Sequence, residues 1–114
     1  MEDKELAILA AKAASDKKAR DIRVLTMTGL TIVTDYFVIA SATSTTQAQA
    51  VADSIEDELA KAGYFPSHRE GYSEAQWILL DFGPVVAHIF VDEAREFYNL
   101  EGLWADAPAE SFAD

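Results

Sequence analysis

The hydrophobic and polar positions change period several times along the chain, and each change marks an element. Glu2, Asp3 and Glu5 precede the apolar positions Leu6, Leu9, Ala10, Ala13 and Ala14, and Lys17, Lys18 and Arg20 follow them. This spacing predicts an amphipathic helix over about residues 3–19, with charges at both ends opposing its dipole. Ile22–Met27 alternates weakly and is rich in β-formers, and after a turn region at Gly29 the run Tyr36–Ala40 has strand length. These predict two strands forming a hairpin. Ser44-Thr45-Thr46-Gln47 has the capping-box form, with Ser44 accepting the Gln47 amide and Gln47 reaching back to the cap amide. The helix it opens carries Ala48, Val51, Ala52, Ile55, Leu59 and Ala62 at helical spacing, and Gly63 stands where a left-handed residue ends it. Tyr64-Phe65 leaves the helix extended, because Pro66 disfavours helix at the residue before it.

Trp77–Phe82 and Val85–Val91 are β-rich runs separated by Gly83-Pro84, which predicts a second hairpin. Both runs are apolar on nearly every residue, so the hairpin is expected at the centre of the sheet with helices covering much of it. A weak strand near residues 66–70 precedes it. Asp92 is placed to cap a short helix through about Asn99, and Leu100–Trp104 closes the fold. From Ala105 a frayed end is expected, giving one domain over residues 1–107 and a flexible acidic tail over 108–114. The order predicts an α/β domain with a mixed sheet of about five strands flanked by helices.

Composition narrows what such a domain does. Half of the 114 residues are hydrophobic, enough for one core, and the absence of cysteine removes disulfides, thiolate metal sites and cysteine nucleophiles. The acidic start Met1-Glu2-Asp3-Lys4-Glu5 is unlike a secretory or transit peptide, and no apolar run approaches the ~18 residues that span a bilayer. A cytoplasmic location is expected, with no membrane partner. The net charge is −11, and from Glu70 to Asp114 ten acids face Arg95 alone. Nucleic-acid binding depends on Lys and Arg displacing counterions from phosphates, so this half is unsuited to direct DNA or RNA contact and suited to a basic protein.

The residues offer little chemistry. His68 and His88 have no partner spacing that would build a metal site; His88, in mid-strand, reads first as a satisfied semi-buried histidine and His68 as a surface loop residue. The glycines stand singly at turns, so no phosphate cradle is visible, and no serine sits in a GxSxG elbow. Neither a cofactor nor a catalytic residue is assigned. Asp81 has two readings: it caps the Gly83-Pro84 turn, or it lies on an exposed strand face with Trp77 and Leu79, where an acid beside an aromatic anchors a partner. In Phe97-Tyr98-Asn99-Leu100-Glu101-Gly102-Leu103-Trp104, Phe97 and Leu100 are expected in the last core layer, whereas Tyr98 and Trp104 suit an interface as well as a core.

Taken together, Asp35-Tyr36-Phe37-Val38-Ile39, Ser44–Gln47, Glu70-Gly71, Trp77–Gly83, Val86–Phe90 and Arg95–Trp104 resemble the ribosomal silencing factor family, also called RsfS or Iojap, in order from about Leu6 to Ala107. The resemblance implies an α/β fold related to nucleotidyltransferases, a monomer or homodimer, and binding to large-subunit ribosomal protein fourteen at the subunit-joining face. There it would block the small subunit and damp translation when nutrients are scarce. It makes Trp77, Leu79, Asp81, Arg95, Tyr98, Glu101 and Trp104 candidates for partner binding or for shaping the binding face. Two positions depart from the family pattern: Thr46 stands where a basic residue is usual, and Ala87 stands where valine is usual before the histidine. An active nucleotidyltransferase is the competing reading, opposed by the lack of a Gly-Ser loop and of a paired-acid metal site; a generic protein-binding or dimerisation module is the third.

Overall fold

In the computed structural model, which describes residues 1–112, the order is α1 (Asp3–Asp16), β1 (Arg20–Thr26), β2 (Tyr36–Ala42), α2 (Thr45–Lys61), β3 (His68–Glu70), β4 (Trp77–Asp81), β5 (Val85–Val91), α3 (Asp92–Tyr98), α4 (Leu100–Leu103) and β6 (Ala109–Ser111). Every predicted element is present; the differences are in element ends, in an added strand and in the order of the sheet. α1 stops at Asp16, not near residue 19, because Lys18 turns into the left-handed region (φ 67°). The Lys17 and Lys18 carbonyls then accept from Gln47 Nε2 at 3.2 and 3.1 Å, so side-chain amide bonds take over where the helix ladder ends.

Gln47 performs two tasks at the start of α2. Its backbone N–H donates to Ser44 Oγ at 3.1 Å, as the capping pattern predicts, but its carboxamide oxygen accepts from the Thr43 amide at 2.7 Å and not from that of Ser44. The same side chain therefore ties both helix ends together. Along their length the two helices meet through small residues: Ala7, Ala10, Ala11 and Ala14 of α1 and Ala48 and Ala52 of α2 are fully buried, and Ser54 Oγ donates to the Ala13 carbonyl at 3.0 Å.

The sheet has six strands in the order β3-β4-β5-β2-β1-β6, one more than expected. β2 and β5 are parallel and central, and the remaining pairs are antiparallel. The β4–β5 hairpin forms as predicted, but only β5 is central; β4 is next to the edge. A crossover through α2 inserts β2 beside β5, an arrangement that local periodicity does not encode. The extra strand is β6. Its backbone continues the sheet through Thr26 N–H to the Pro108 carbonyl and Phe112 N–H to the Ile22 carbonyl, each 2.8 Å, and Phe112 packs on the main core. Residues 108–112 are thus held against β1 and are not a free tail; residues 113 and 114, the end of that expected tail, lie outside the described residues.

The two faces of the sheet are covered unequally. α1 and α2 lie on the first, over Val24, Val38, Ala40, Ile78, Leu80, Ala87 and Ile89. The second carries a smaller cluster of Leu25, Met27, Ile39, Phe90, Ala94 and Ala107, with Phe37, Trp77, Leu100 and Trp104 half-buried against it.

Gly71 fixes how the chain enters β4. It sits at φ +77°, and a Cβ there would lie 2.1 Å from the Trp77 carbonyl oxygen. Gly71→Ala combines an unfavourable backbone conformation with a clash against main chain, and it should destabilise by about 3 kcal/mol. A denaturation midpoint like that of the parent would show that the approach is not tight.

Candidate protein-binding face

Because alternate residues of a strand share a face, β4 turns Ile78 and Leu80 into the main core and Trp77, Leu79 and Asp81 to the opposite side. The register sets Trp77 beside Phe90, Leu79 beside His88 and Asp81 beside Val86; β2 then adds Phe37 beside Val86 and Ile39 beside His88. The result is a continuous aromatic layer. Trp77 stacks on Phe90 and meets Tyr98, both at 4.9 Å between ring centroids; Phe37 meets His88 edge-on at 4.6 Å and Trp104 at 6.3 Å. The strand and helix candidates Trp77, Tyr98 and Trp104 thus belong to one surface.

His88 is at the centre of this layer. Its Nδ1 accepts from the Trp77 indole N–H at 3.1 Å, which places the imidazole proton on Nε2. That Nε2 is buried and finds no hydrogen-bond partner among the described residues. Burial pushes the pKa of His88 down to about 4. The expected satisfied histidine is therefore satisfied at one nitrogen only, and it is more deeply buried than expected.

Arg95 and Glu101 occupy the same region but turn inward. The Arg95 side chain is only 12% exposed; its Nε donates to Glu101 Oε1 at 2.9 Å, and a terminal nitrogen donates to Ser41 Oγ at 2.8 Å and to the Asp21 carbonyl. Glu101 also lies 3.5 Å from Arg23 Nε. These two residues bolt α3 and α4 to β1 and β2. Arg95 Nε, one of its terminal nitrogens and both Glu101 oxygens are engaged within the chain, so the two residues shape the face by placing α3 and α4. Asp92, expected to cap α3, stands inside the helix's first turn, after the N-cap Val91, and pairs with Arg20.

Asp81 holds the turn, as the first reading expects, and it also lies on the strand face that the second reading requires. Its Oδ1 accepts from the Gly83 amide at 2.8 Å, holding the β4–β5 turn, while the residue remains half-buried on the face of Trp77 and Leu79. Phe97 is the clear correction: instead of filling the core it is 80% exposed, edge-on to Tyr98 at 5.1 Å, and Leu103 nearby is exposed as well. The sequence reading also left out Phe37 and Phe90. Their signal was present in the two-residue period, but their adjacency depends on the parallel β2–β5 pairing.

Charge around the layer is one-sided. Arg20, Arg23 and Arg95 are each matched by a carboxylate, whereas the exposed Glu93 and Glu96 of α3 have no salt bridge among the described residues.

Over residues 1–114 the sequence matches the family described as "Ribosomal silencing factor during starvation". The chain belongs to the ribosomal silencing factor family. The ribosomal silencing factor RsfS of Bacillus subtilis is 44% identical over 108 residues, covering 95% of this chain and 92% of that protein. Mouse "Mitochondrial assembly of ribosomal large subunit protein 1" is 37% identical over 91 residues, 77% of this chain and 40% of its own length. A crystal structure of a Chromobacterium violaceum protein, 34% identical, superposes with a TM-score of 0.90 and covers all of this chain and 94% of that one. Placed on the fold, four of the segments that resemble the silencing factors converge: Asp35–Ile39, Trp77–Asp81, His88–Phe90 and Arg95–Trp104 all contribute to the second face of the sheet, whereas Ser44–Gln47 opens α2 on the first.

The buried imidazole has a consequence for acid stability. The folded state keeps His88 neutral down to about pH 4, whereas the unfolded chain protonates it below pH 6.5, so stability is complete above that range and lost as pH falls through it. The loss should reach about 3 kcal/mol between pH 6.5 and 4, beyond that of His88→Gln, which lacks the titrating ring. Parallel urea-stability curves for the two proteins across this window would show that His88 is not buried neutral.

Proposed function

We propose that this chain is a translation repressor that binds the large ribosomal subunit through large-subunit ribosomal protein fourteen and prevents the small subunit from joining when nutrients are limiting. The observation that carries the reading is the convergence of the silencing-factor motifs on one aromatic face that short helices leave partly open. Such a face has the composition of a binding centre, in which a few large aromatic side chains in a desolvated patch supply most of the affinity. Its surplus of carboxylates favours a basic polypeptide and speeds encounter with one.

On this reading no bond is made or broken. Occupancy of the joining surface by a 12.5 kDa body is sufficient, and the protein acts in the cytoplasm without a cofactor. Trp77, Leu79, Tyr98 and Trp104 supply contact area, Asp81 supplies charge, and Arg95 with Glu101 holds α3 and α4 in place. A second copy of the chain is a natural competitor for the same face, because an exposed apolar patch is often self-complementary.

The test is sedimentation with purified large subunits at controlled salt. Trp77→Ala should weaken co-sedimentation about 30-fold, as loss of an aromatic anchor does, and should restore subunit joining while thermal unfolding stays cooperative. Asp81→Asn keeps an acceptor for the Gly83 amide and removes only the charge, so it should weaken binding a few-fold, most clearly at low salt. Wild-type protein that ignores large subunits, or in whose presence the two subunits join as readily as in buffer, would reject the proposal.

A further inference from the structure

The loop from Met27 to Asp35, between β1 and β2, is absent from the functional reading so far, yet it carries the most exposed aliphatic side chain of the described residues. Ile32 is fully exposed, Val33 is 73% exposed and Leu30 is 42% exposed. Single apolar residues on a surface are ordinary, but three within four positions of one loop form a patch.

The loop is also rigidly built. Met27 at its root is fully buried in the second-face cluster; its N–H donates to the Asp35 carbonyl at 2.8 Å, and its own carbonyl accepts from Leu30 at 2.9 Å and Thr31 at 3.2 Å. The Val33 amide donates to Thr31 Oγ1 at 3.2 Å, and Thr34 is buried. The Asp35 and Tyr36 amides both donate to the Pro84 carbonyl, at 3.1 and 3.0 Å, fastening the loop to the turn that Asp81 holds. A loop ordered in this way loses little conformational entropy on docking, which is the main cost a flexible loop would impose.

Charge selects the occupant. No Lys or Arg occurs between Arg23 and Lys61, so the loop brings no cation of its own. The Asp35 carboxyl at its base neighbours that of Asp3 and raises the pKa of Asp3. Phosphates of RNA or of anionic lipid would be repelled there, whereas a cationic surface would relieve the crowded carboxylates.

We propose that this loop is a second docking element, which seats Ile32 and Val33 in an apolar socket rimmed by Lys or Arg on a protein of the large subunit. The proposal rests on the ribosome-binding reading above and adds a contact outside the aromatic face.

The experiment compares a double variant, Ile32→Ser with Val33→Ser, with the wild type and with Trp77→Ala in large-subunit sedimentation. The double variant should melt like the wild type, because neither side chain is buried, and should bind about tenfold more weakly. Replacement by Ile32→Leu with Val33→Ile should restore binding. A photo-crosslinker introduced in place of Ile32 should capture a basic ribosomal protein. If the serine variant binds as tightly as the wild type while Trp77→Ala binds weakly, the loop proposal is wrong and the aromatic-face reading stands. If the wild type does not bind at all, both fail. Crosslinking to ribosomal RNA alone, wild-type binding to anionic vesicles that the serine variant loses, or a change confined to self-association in light scattering would each overturn the loop's assignment.

Discussion

A sheet has two faces to keep from water, and this chain has long helices for only one of them. α1 and α2 bury the first face with small and aliphatic side chains. On the second, α3 and α4 are too short to cover six strands, and the remaining area is closed by rings touching one another. Aromatic side chains suit this task because they remove a large area from water while fixing few torsions. The arrangement depends on the hydrogen bond between Trp77 and His88. Without an acceptor beneath it, the indole N–H would have to find water inside the layer or leave the layer altogether. The imidazole meets that need only while neutral at Nδ1, which is the state its burial favours.

The same constraint explains why Arg95 and Glu101 point inward. Short helices with one buried residue between them, Ala94, cannot hold their position by apolar contact alone. Arg95 supplies the missing restraint, joining α3 to Glu101 of α4, to Ser41 of β2 and to the backbone of β1 at Asp21, where the strand bulges and φ is +48°. A guanidinium removed from water contributes more to the choice of one geometry than to stability, because its desolvation offsets much of its attraction. Tyr98 and Trp104, the first carried by α3 and the second immediately after α4, are placed by that network.

How far the sequence was legible follows from the range of the interaction behind each feature. The Ser44 cap, the Gly63 stop and the Gly83-Pro84 turn are local, and each stands where its residues predict. The β4 face of Trp77, Leu79 and Asp81 was equally legible, because it needs only the two-residue period. What the sequence hid was long-range. The parallel β2–β5 pairing brings Phe37 to His88 across fifty residues, and no pattern within either strand announces it. β6 was obscured by its brevity and its acidic residue Glu110, which reads as tail until Lys4 of α1 is found 3.0 Å away. Phe97 differs from its expected place because a phenylalanine in a hydrophobic run is usually core; here α3 ends at the left-handed Asn99, after about two turns, and Phe97 falls on its outer side.

An apolar layer bordered by carboxylates is an unusual combination for a surface proposed to meet a ribosome, since most of that particle's exterior is phosphate. The two properties divide the work. Aromatic area binds many surfaces with little discrimination, whereas a net charge of −11 raises the free energy of approach to every phosphate-rich one. A cationic protein patch is the exception, attracted by the same field that excludes its surroundings. Such selection by repulsion needs no additional contacts with the correct partner, which is consistent with a face whose few exposed arginines are already matched by carboxylates of the chain itself. A free arginine on this rim would strengthen binding to RNA first, and so would cost specificity before it changed affinity for the protein.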